Sequence, residues 1–252
     1  MTVKELYDIF CEKYPAHLSC SWDHDGLMVC EDFDAPVTGV VCTLDITDRA
    51  IDLAIERGCN VIISHHPMLF DPINYITPEK PISRRVLKLI KHGISIMCFH
   101  TRCDAAEGGT NTLMEKALGL QNVEICDPDG IVRFGFLPAP LSAKEFAALV
   151  KEAFHVPFVT VADCGKPIQK VAICSGGGGG LIGLAQAAGA DAYVSGRLDY
   201  HAGVDVPEAG MTLVEAGHFY TEIGVSYVWA KEMEEVYGIP AYVYDVPPID
   251  VY

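Results

Sequence analysis

Two adjacent histidines, His65 and His66, follow an apolar run and precede a proline. The segment reads Val61-Ile62-Ile63-Ser64-His65-His66-Pro67. The apolar run is typical of a buried strand, and the proline favours a turn directly after it. Because ligands of open α/β sheets bind at strand ends and imidazole is the commonest ligand for transition metals, both histidines can face one metal site. The alternative is a surface histidine beside a core histidine, since neighbours on a regular strand point to opposite faces.

A second polar group follows another strand-like segment, residues 94–99. Its sequence is His100-Thr101-Arg102-Cys103-Asp104. The carboxylate of Asp104 can share a crevice with the histidine pair, because both groups come directly after strands. The alternative makes Asp104 a helix cap or a turn residue before the glycine pair at 108–109.

A third polar group follows the strand-like residues 211–214. It is Glu215-Ala216-Gly217-His218-Phe219-Tyr220-Thr221-Glu222. His218 and Glu222 are four residues apart, so they share one face if a helix begins here. An imidazole and a carboxylate on one face can hold a metal ion together, and the alternative is a plain surface pair.

The three groups together supply five candidate metal ligands, which are His65, His66, Asp104, His218 and Glu222. Five ligands are too few to saturate two ions, but they suffice if a carboxylate bridges the ions and water fills the other positions. Two-metal sites hold their ions roughly 3.5–4 Å apart and activate water at neutral pH. Mixed nitrogen and oxygen ligands without thiolate suit zinc, iron, manganese, nickel or cobalt.

Strand-like and helix-like segments alternate along the chain. Capping boxes at Thr2-x-x-Glu5 and Ser142-x-x-Glu145 mark two helix starts. We predict strands at 37–44, 61–64, 94–99, 170–174, 192–195, 211–214 and 241–246, and helices at 47–57, 83–92, 111–118, 181–188 and 222–237. This alternation predicts an α/β layer architecture with parallel strands.

A faint internal repeat aligns residues 40–64 with residues 171–195 without a gap. The alignment pairs Ser64 with Ser195, so that His65 corresponds to Gly196 and the dipeptide Leu44-Asp45 to Ser175-Gly176. Duplication of one β-α-β unit is one explanation. The other is that any two such units share Leu, Ala and Gly at these positions.

Composition limits the class of protein. The chain has 252 residues, of which 50% are hydrophobic and 21% charged, as expected for one large or two smaller globular domains. A formal net charge of -16 argues against binding a nucleic-acid backbone. The start carries no apolar signal core, and no run approaches the roughly 18 apolar residues that span a bilayer. Ten scattered cysteines without a C-x-x-C pair predict reduced thiols, so we expect a cytoplasmic protein without a membrane partner.

Five segments together resemble the NIF3-like family, also called the dinuclear-metal-centre or GTP cyclohydrolase type 2 family. They are Trp22-Asp23-His24-Asp25-Gly26-Leu27, Ser64-His65-His66-Pro67, His100-Thr101-Arg102-Cys103-Asp104, Ser195-Gly196-Arg197-Leu198-Asp199-Tyr200-His201 and Gly217-His218-Phe219-Tyr220-Thr221-Glu222. The chain departs from the family pattern at two places. Arg102 stands where the family usually has Asn, and His24-Asp25 replaces Asn plus a small apolar residue.

The resemblance implies a fold and an assembly. The implied fold is two intertwined α/β domains with mixed sheets, related by a structural duplication. We place a metal-site domain at 1–126 with 207–252 and an inserted second domain at 127–206. The resemblance also implies that the five ligands hold two divalent ions per chain, and that six chains form a toroidal hexamer with the metal sites facing its interior.

The resemblance also implies a metal-dependent hydrolase that acts on a nucleotide-like or phosphoester substrate, with GTP ring opening as its specific activity. Glu222, His100 and His201 are the candidate catalytic residues. The two histidines match family motifs and can move protons or bind substrate, but a hydrogen-bonded supporting role is equally open. The alternative function is a metal-handling or regulatory interaction protein whose hexameric ring is the working unit. Trp22 is predicted to be core or pocket wall, and Gly176–Gly180 to be a flexible turn or a weak anion cradle.

Overall fold

The computed structural model describes residues 1–249. Within them lie eleven strands: β1 (Gly26–Val29), β2 (Val40–Thr43), β3 (Val61–Ser64), β4 (Ser95–Cys98), β5 (Gln121–Ile125), β6 (Arg133–Leu141), β7 (Thr160–Ala162), β8 (Ile168–Cys174), β9 (Ala192–Ser195), β10 (Thr212–Glu215) and β11 (Ala241–Tyr244). The same residues form ten α-helices: α1 (Val3–Lys13), α2 (Asp48–Arg57), α3 (Pro81–Lys91), α4 (Thr101–Ala105), α5 (Thr110–Ala117), α6 (Ala143–Ala153), α7 (Ile182–Ala187), α8 (Tyr200–Glu208), α9 (His218–Glu222) and α10 (Gly224–Tyr237).

The first compact unit contains residues 1–103 and 225–246. Its five-stranded sheet has the order β1-β4-β3-β2-β11, in which β1 is antiparallel to β4 and the other pairs are parallel. Every residue of β2, β3 and β4 is buried, which is the reason that these strands are continuous apolar runs in the sequence. The core packs Ile62 of this sheet against Ile51 of α2 and Leu89 of α3.

The second compact unit contains residues 104–224 together with 247–249 of the described part. Its six-stranded sheet has the order β5-β6-β8-β9-β10-β7. Strands β8, β9 and β10 are parallel, and antiparallel strands flank them on both sides. The buried face carries Ile173 and Val194, which pack with Phe146 and Val150 of α6. Both sheets are therefore mixed, as the resemblance implied.

The unit boundaries differ from the predicted bounds of 1–126 with 207–252 and of 127–206. Residues 104–126 and 207–224 lie in the second unit, because β5 pairs with β6, and β10 pairs with β9 and β7. Strand pairing decides the boundary, and the hydrophobic pattern of a single segment does not reveal which strand it pairs with. The first unit is nevertheless assembled from both ends of the chain.

The parallel pairs of the two sheets share one register. In the first unit Val40 lies opposite Val61 and Thr43 opposite Ser64. In the second unit Val171 lies opposite Ala192 and Cys174 opposite Ser195. These positions are equivalent in the gap-free alignment of 40–64 with 171–195, so the strand pairing agrees with a duplication, which stays a prediction.

Several local predictions are confirmed. Thr2 and Ser142 close capping boxes at the starts of α1 and α6. The predicted helix over 222–237 matches α10 except at its start, because Glu222 ends α9 and α10 begins at Gly224. Strand β6 was not predicted because it carries prolines at 138 and 140, where its pairing register with β8 shifts.

Two expectations from composition can be compared with the structure. Within residues 1–249, none of the helices combines the length and apolar composition that a membrane crossing requires. All ten cysteines fall in this part of the chain, and no disulfide joins any two of them.

Candidate metal centre

Three imidazoles come together in the first unit, and we call them the histidine cluster: His65, His66 and His100. They follow the carboxyl ends of β3 and β4, which are neighbouring parallel strands. The ring centroids are 5.0 Å apart for His65 and His66, and 5.3 and 5.7 Å from these two rings to that of His100. Each ring offers a nitrogen within 4.8 Å of the other two. The side chains of the two adjacent histidines therefore point toward the same place. The alternative of a surface histidine beside a core histidine, which points to the opposite face of the sheet, does not describe them.

Each ring of the histidine cluster donates a hydrogen bond through Nδ1. The acceptors are the Phe99 carbonyl at 3.0 Å for His65, Asp45 Oδ1 at 3.0 Å for His66 and Asp23 Oδ1 at 2.9 Å for His100. A carbonyl or an ionised carboxylate only accepts, so Nδ1 carries the proton of the neutral ring and Nε2 carries the lone pair. Metal-ligating histidines show this arrangement, because the partner fixes both the tautomer and the ring orientation.

The carboxylate of Asp23 fixes His100 from a loop that precedes β1. It accepts hydrogen bonds from the backbone N–H of Thr101 at 3.0 Å and from the Thr101 hydroxyl at 2.6 Å, in addition to His100. Burial by itself would raise the pKa of Asp23, but the hydrogen bonds from His100 and Thr101 outweigh it and lower that pKa below its usual range. Asp23 is therefore ionised at neutral pH.

The two departures from the family pattern are partners of each other. Arg102 donates Nε–H and Nη2–H to the two carboxylate oxygens of Asp25, at 2.8 and 2.6 Å. The side chains are only 3% and 4% exposed. Burial opposes the charge of Arg102, but Asp25 outweighs it and raises the pKa of Arg102. Because Asp25 also accepts from the His100 backbone N–H at 3.2 Å, this ion pair supports the histidine cluster.

Two carboxylates and one imidazole come together in the second unit, and we call them the carboxylate cluster: Asp104, His218 and Glu222. His218 Nε2 lies 3.0 Å from Glu222 Oε2 across one turn of α9. A carboxylate oxygen of Asp104 lies within 4.8 Å of one from Glu222. Asp104 is buried within α4, and the Glu222 side chain is 4% exposed. The turn alternative for Asp104 and the surface-pair alternative for Glu222 are therefore both wrong.

Hydroxyl groups hold Asp104 in place. Its Oδ1 accepts from Ser175 Oγ at 3.2 Å and from the hydroxyl of Thr110. Ser175 follows the carboxyl end of β8, and its backbone N–H donates to Asn111 Oδ1 at 2.9 Å. A buried carboxylate needs such donors, because an unsolvated charge is costly.

Two glycines provide the space that the carboxylate cluster occupies. A Cβ added to Gly176 would lie 2.0 Å from Glu222 Oε1 and 3.0 Å from His218 Nε2. A Cβ added to Gly196 would lie 2.6 Å from His218 Cα and 2.7 Å from Thr221 Oγ1. A side chain at Gly176 would displace the Glu222 carboxylate, and one at Gly196 would require the backbone of α9 to move. Buried carboxylates packed against an imidazole in a space that glycines keep open are a donor set that fits a divalent cation.

The remaining predicted residues lie elsewhere. His201 is exposed near the start of α8, with its ring 5.6 Å from that of Tyr200, and it belongs to none of the possible metal-holding groups found among residues 1–249. The glycine run at 176–180 leads into a short 3-10 helix, in which the Gly178 N–H donates to Ser195 Oγ at 3.0 Å. Trp22 is 51% exposed, so it is not a core residue, and the other half of its prediction, a pocket wall, stays a prediction.

Sequence reasoning missed the supporting residues around the two clusters. Asp45 and Gly176 occupy equivalent positions of the internal repeat, which was the available signal for both. The pairing of Asp25 with Arg102 gave no signal in a single sequence.

The fold and these side chains define a class of protein with two α/β units, in which groups that could hold a metal ion lie near the ends of parallel strands. The family model of Duf34/NIF3 (NGG1p interacting factor 3) matches residues 1–246, and the chain belongs to this family. The predicted family is thus confirmed.

Individual relatives agree with this membership. The chain is 32% identical over 244 residues to the GTP cyclohydrolase 1 type 2 homolog of Clostridium acetobutylicum, covering 93% of this chain and 90% of the relative. It is 30% identical over 249 residues to NGG1-interacting factor 3 of Saccharomyces cerevisiae, covering 88% and 85%. Its fold is similar to that of a solved Staphylococcus aureus protein, with a TM-score of 0.89, 24% identity and coverage of 100% and 99%.

Proposed function

We propose that this protein is a metal-dependent hydrolase that binds two divalent metal ions. The proposed ligands are His65, His66, Asp104, His218 and Glu222. The observation that carries the proposal is the shared orientation of the imidazoles in the first unit, where each Nδ1 is engaged by an acceptor and Nε2 keeps its lone pair. The similarity to a bacterial protein named GTP cyclohydrolase 1 type 2 homolog supports the same kind of activity.

The donor set indicates which ions would bind and which substrates would suit them. Imidazole nitrogens with carboxylate oxygens and no thiolate suit zinc, iron, manganese, nickel or cobalt. Two carboxylates offset only part of the charge of two divalent ions, so the centre would attract an anion although the whole chain has a net charge of -16. A nucleotide-like or phosphoester substrate meets this requirement, and GTP is the specific substrate that we propose.

When bound, the two ions would supply Lewis-acid activation of water and of a substrate oxygen. The protein would provide the groups that move protons. Asp23 keeps the Nδ1 proton on His100 and leaves Nε2 as a base, so we propose His100 as a proton acceptor. Glu222 is the second proposed acid or base, because it is nearly buried and adjoins His218. His201 stays a proposed catalytic residue on its motif alone.

We also propose that six chains assemble into a toroidal ring in the cytoplasm, as the family resemblance implies. Light scattering coupled to gel filtration tests the assembly, and we expect a mass six times that of the 27.4 kDa chain. A monomeric mass would contradict this part of the proposal.

Turnover by the metal-loaded protein tests the enzymatic part. The protein is loaded with zinc, manganese or iron and incubated with GTP, other nucleotides and simple phosphoesters, and products are separated by chromatography. We expect metal-dependent turnover that falls about 100-fold or more in Glu222→Ala, because general acid or base groups contribute about this much.

Glu235→Ala is the matched control, since Glu235 lies on α10 and its side chain is 66% exposed. Unchanged turnover in Glu222→Ala would contradict the role of that carboxylate. No turnover with any metal or substrate would contradict the hydrolase and favour the metal-handling or regulatory role.

A further inference from the structure

An exposed aromatic group adjoins the histidine cluster in the first unit, and we call it the aromatic platform: Trp22, His24 and Phe70. Trp22 is 51% exposed and Phe70 is 39% exposed. The Phe70 ring centroid lies 6.4 Å from that of Trp22 and 5.7 Å from that of His24. Grouped exposed aromatic rings are unfavourable in water, so their presence points to a binding surface.

The platform is held at a fixed distance from His100. The Trp22 ring packs edge-on against the His100 ring, with centroids 6.2 Å apart and an interplanar angle of 77°. Trp22 also sits in a tight turn that the Asp23 N–H closes by donating to the Cys20 carbonyl at 2.9 Å. Both ends of this turn are anchored on Thr101, which accepts from the Cys20 N–H and donates to Asp23. The surface is therefore organised before a ligand arrives.

The acidic residues of the same loop do not face the ligand. The side chain of Asp23 is 0% exposed, and that of Asp25 is 4% exposed, because each is committed to a buried partner. The exposed part of the loop is thus aromatic and does not present carboxylates to an anionic molecule. An acidic chain can in this way still accept a nucleotide at this surface.

We propose that the aromatic platform binds the planar base of a nucleoside or nucleotide by stacking, as the base-recognition part of the substrate site. The inference rests on the proposed function and names the substrate class for it. Stacking of a base on aromatic side chains contributes about 1–3 kcal/mol and accepts any base. Because the platform touches His100, a base that stacks there lies beside the proposed metal ligands.

Trp22 itself is the reporter for the experiment. The sequence contains two tryptophans, and the other, Trp229, is fully buried and donates its indole N–H to the Tyr14 hydroxyl at 3.0 Å. The full-length, metal-free protein is titrated with guanosine, with guanosine monophosphate and with ribose 5-phosphate. We expect both base-containing ligands to quench fluorescence and the ribose phosphate to leave it unchanged. Quenching by guanosine that persists in Trp22→Phe would overturn the assignment.

Removal of one ring tests stacking separately from the reporter. We expect Phe70→Ala to weaken guanosine binding about 10-fold, which corresponds to one lost stacking contact, and Phe70→Tyr to restore it. Phe33→Ala is the matched control, because Phe33 is 55% exposed in the same unit and is not part of the platform. Equal affinity of Phe70→Ala and the wild type would overturn the proposal. Isothermal calorimetry gives the affinities without relying on tryptophan emission.

The outcome separates this proposal from the hydrolase itself. Quenching by guanosine without turnover of any substrate would support the platform and contradict the hydrolase. Turnover of phosphoesters without any binding of guanosine would support the hydrolase and overturn the platform.

Discussion

The β2-α2-β3 segment of the first unit and the β8-α7-β9 segment of the second share one strand register and differ at their carboxyl ends. In the first segment the strands are followed by Asp45 and His65, and in the second by Gly176 and Gly196. The first segment thus presents a carboxylate and an imidazole directly from its strand ends. The other has glycines there, and helix α9 supplies His218 and Glu222 instead.

The two units also hold these side chains by different physical means. In the histidine cluster the Phe99 carbonyl, Asp45 and Asp23 each fix one ring, and the neighbouring Asp25 is paired with Arg102. The carboxylate cluster is held by hydroxyl donors and by the space at Gly176. Loss of a charge should therefore lower the stability of the first unit most. An added methyl group should instead lower the metal affinity of the second unit.

The largest effect is expected from Arg102→Ala. This change leaves Asp25 buried without its partner, which typically costs about 3–5 kcal/mol of the free energy of unfolding. Urea denaturation followed by circular dichroism measures it. Lys116→Ala is the control, because its ion pair with Glu107 is largely exposed and should change stability by less than about 1 kcal/mol.

A double variant makes this test sharper. Asp25→Ala combined with Arg102→Asn restores the residue types of the family pattern and removes both charges together. We expect its loss to be smaller than the sum of the two single losses by about 0.5–3 kcal/mol, because interacting residues are not additive. Simple additivity would show that the ion pair does not couple these positions.

The second-largest effect is expected on metal affinity, from filling the space beside Gly176 in the second unit. Gly176→Ala brings Cβ 2.0 Å from Glu222 Oε1, so we expect metal affinity to fall about 10- to 100-fold. Gly189→Ala is the matched control, because Gly189 has a similar positive φ, 69° against 60°, and no atom within 4 Å of an added Cβ. Both variants carry about 1–2 kcal/mol of backbone strain, but only the first displaces a proposed ligand. Equal metal affinity in the two variants would contradict the role of this glycine.

The smallest effect on folding is expected from Asp45→Ala. Asp45 is half exposed, so its removal should change stability little, but His66 loses the acceptor that fixes its Nδ1 proton. We expect metal affinity to fall about 10-fold or more and to recover partly in Asp45→Asn, which keeps an acceptor oxygen. Competition with a metal-sensitive dye measures the affinity. Identical affinities in both variants and the wild type would argue that His66 does not depend on this contact.

Much of the architecture could be predicted from local signals. Capping boxes gave the starts of α1 and α6, and continuous apolar runs gave β2, β3 and β4. The end of a parallel strand is where ligands collect, and this rule predicts that His65-His66 and the segment His100–Asp104 both follow strand ends.

The rest depends on contacts between distant residues. Arg102 and Asp25 are 77 positions apart, so no periodicity links them. The unit boundary follows from the pairing of β5 with β6 and of β10 with β9 and β7. The exposure of Trp22 follows from the turn that is anchored on Thr101, whereas the sequence alone left both the core and a pocket wall open for this residue.

Counting metal ions tests the central claim most directly. The purified protein is loaded with zinc or manganese, desalted and measured by elemental analysis, together with a His65→Ala and His66→Ala double variant and with Glu222→Ala. We predict two ions per chain in the wild type and in Glu235→Ala, and fewer in the other two. A wild-type protein that retains no ion, or ligand variants that retain as many as the wild type, would contradict the account.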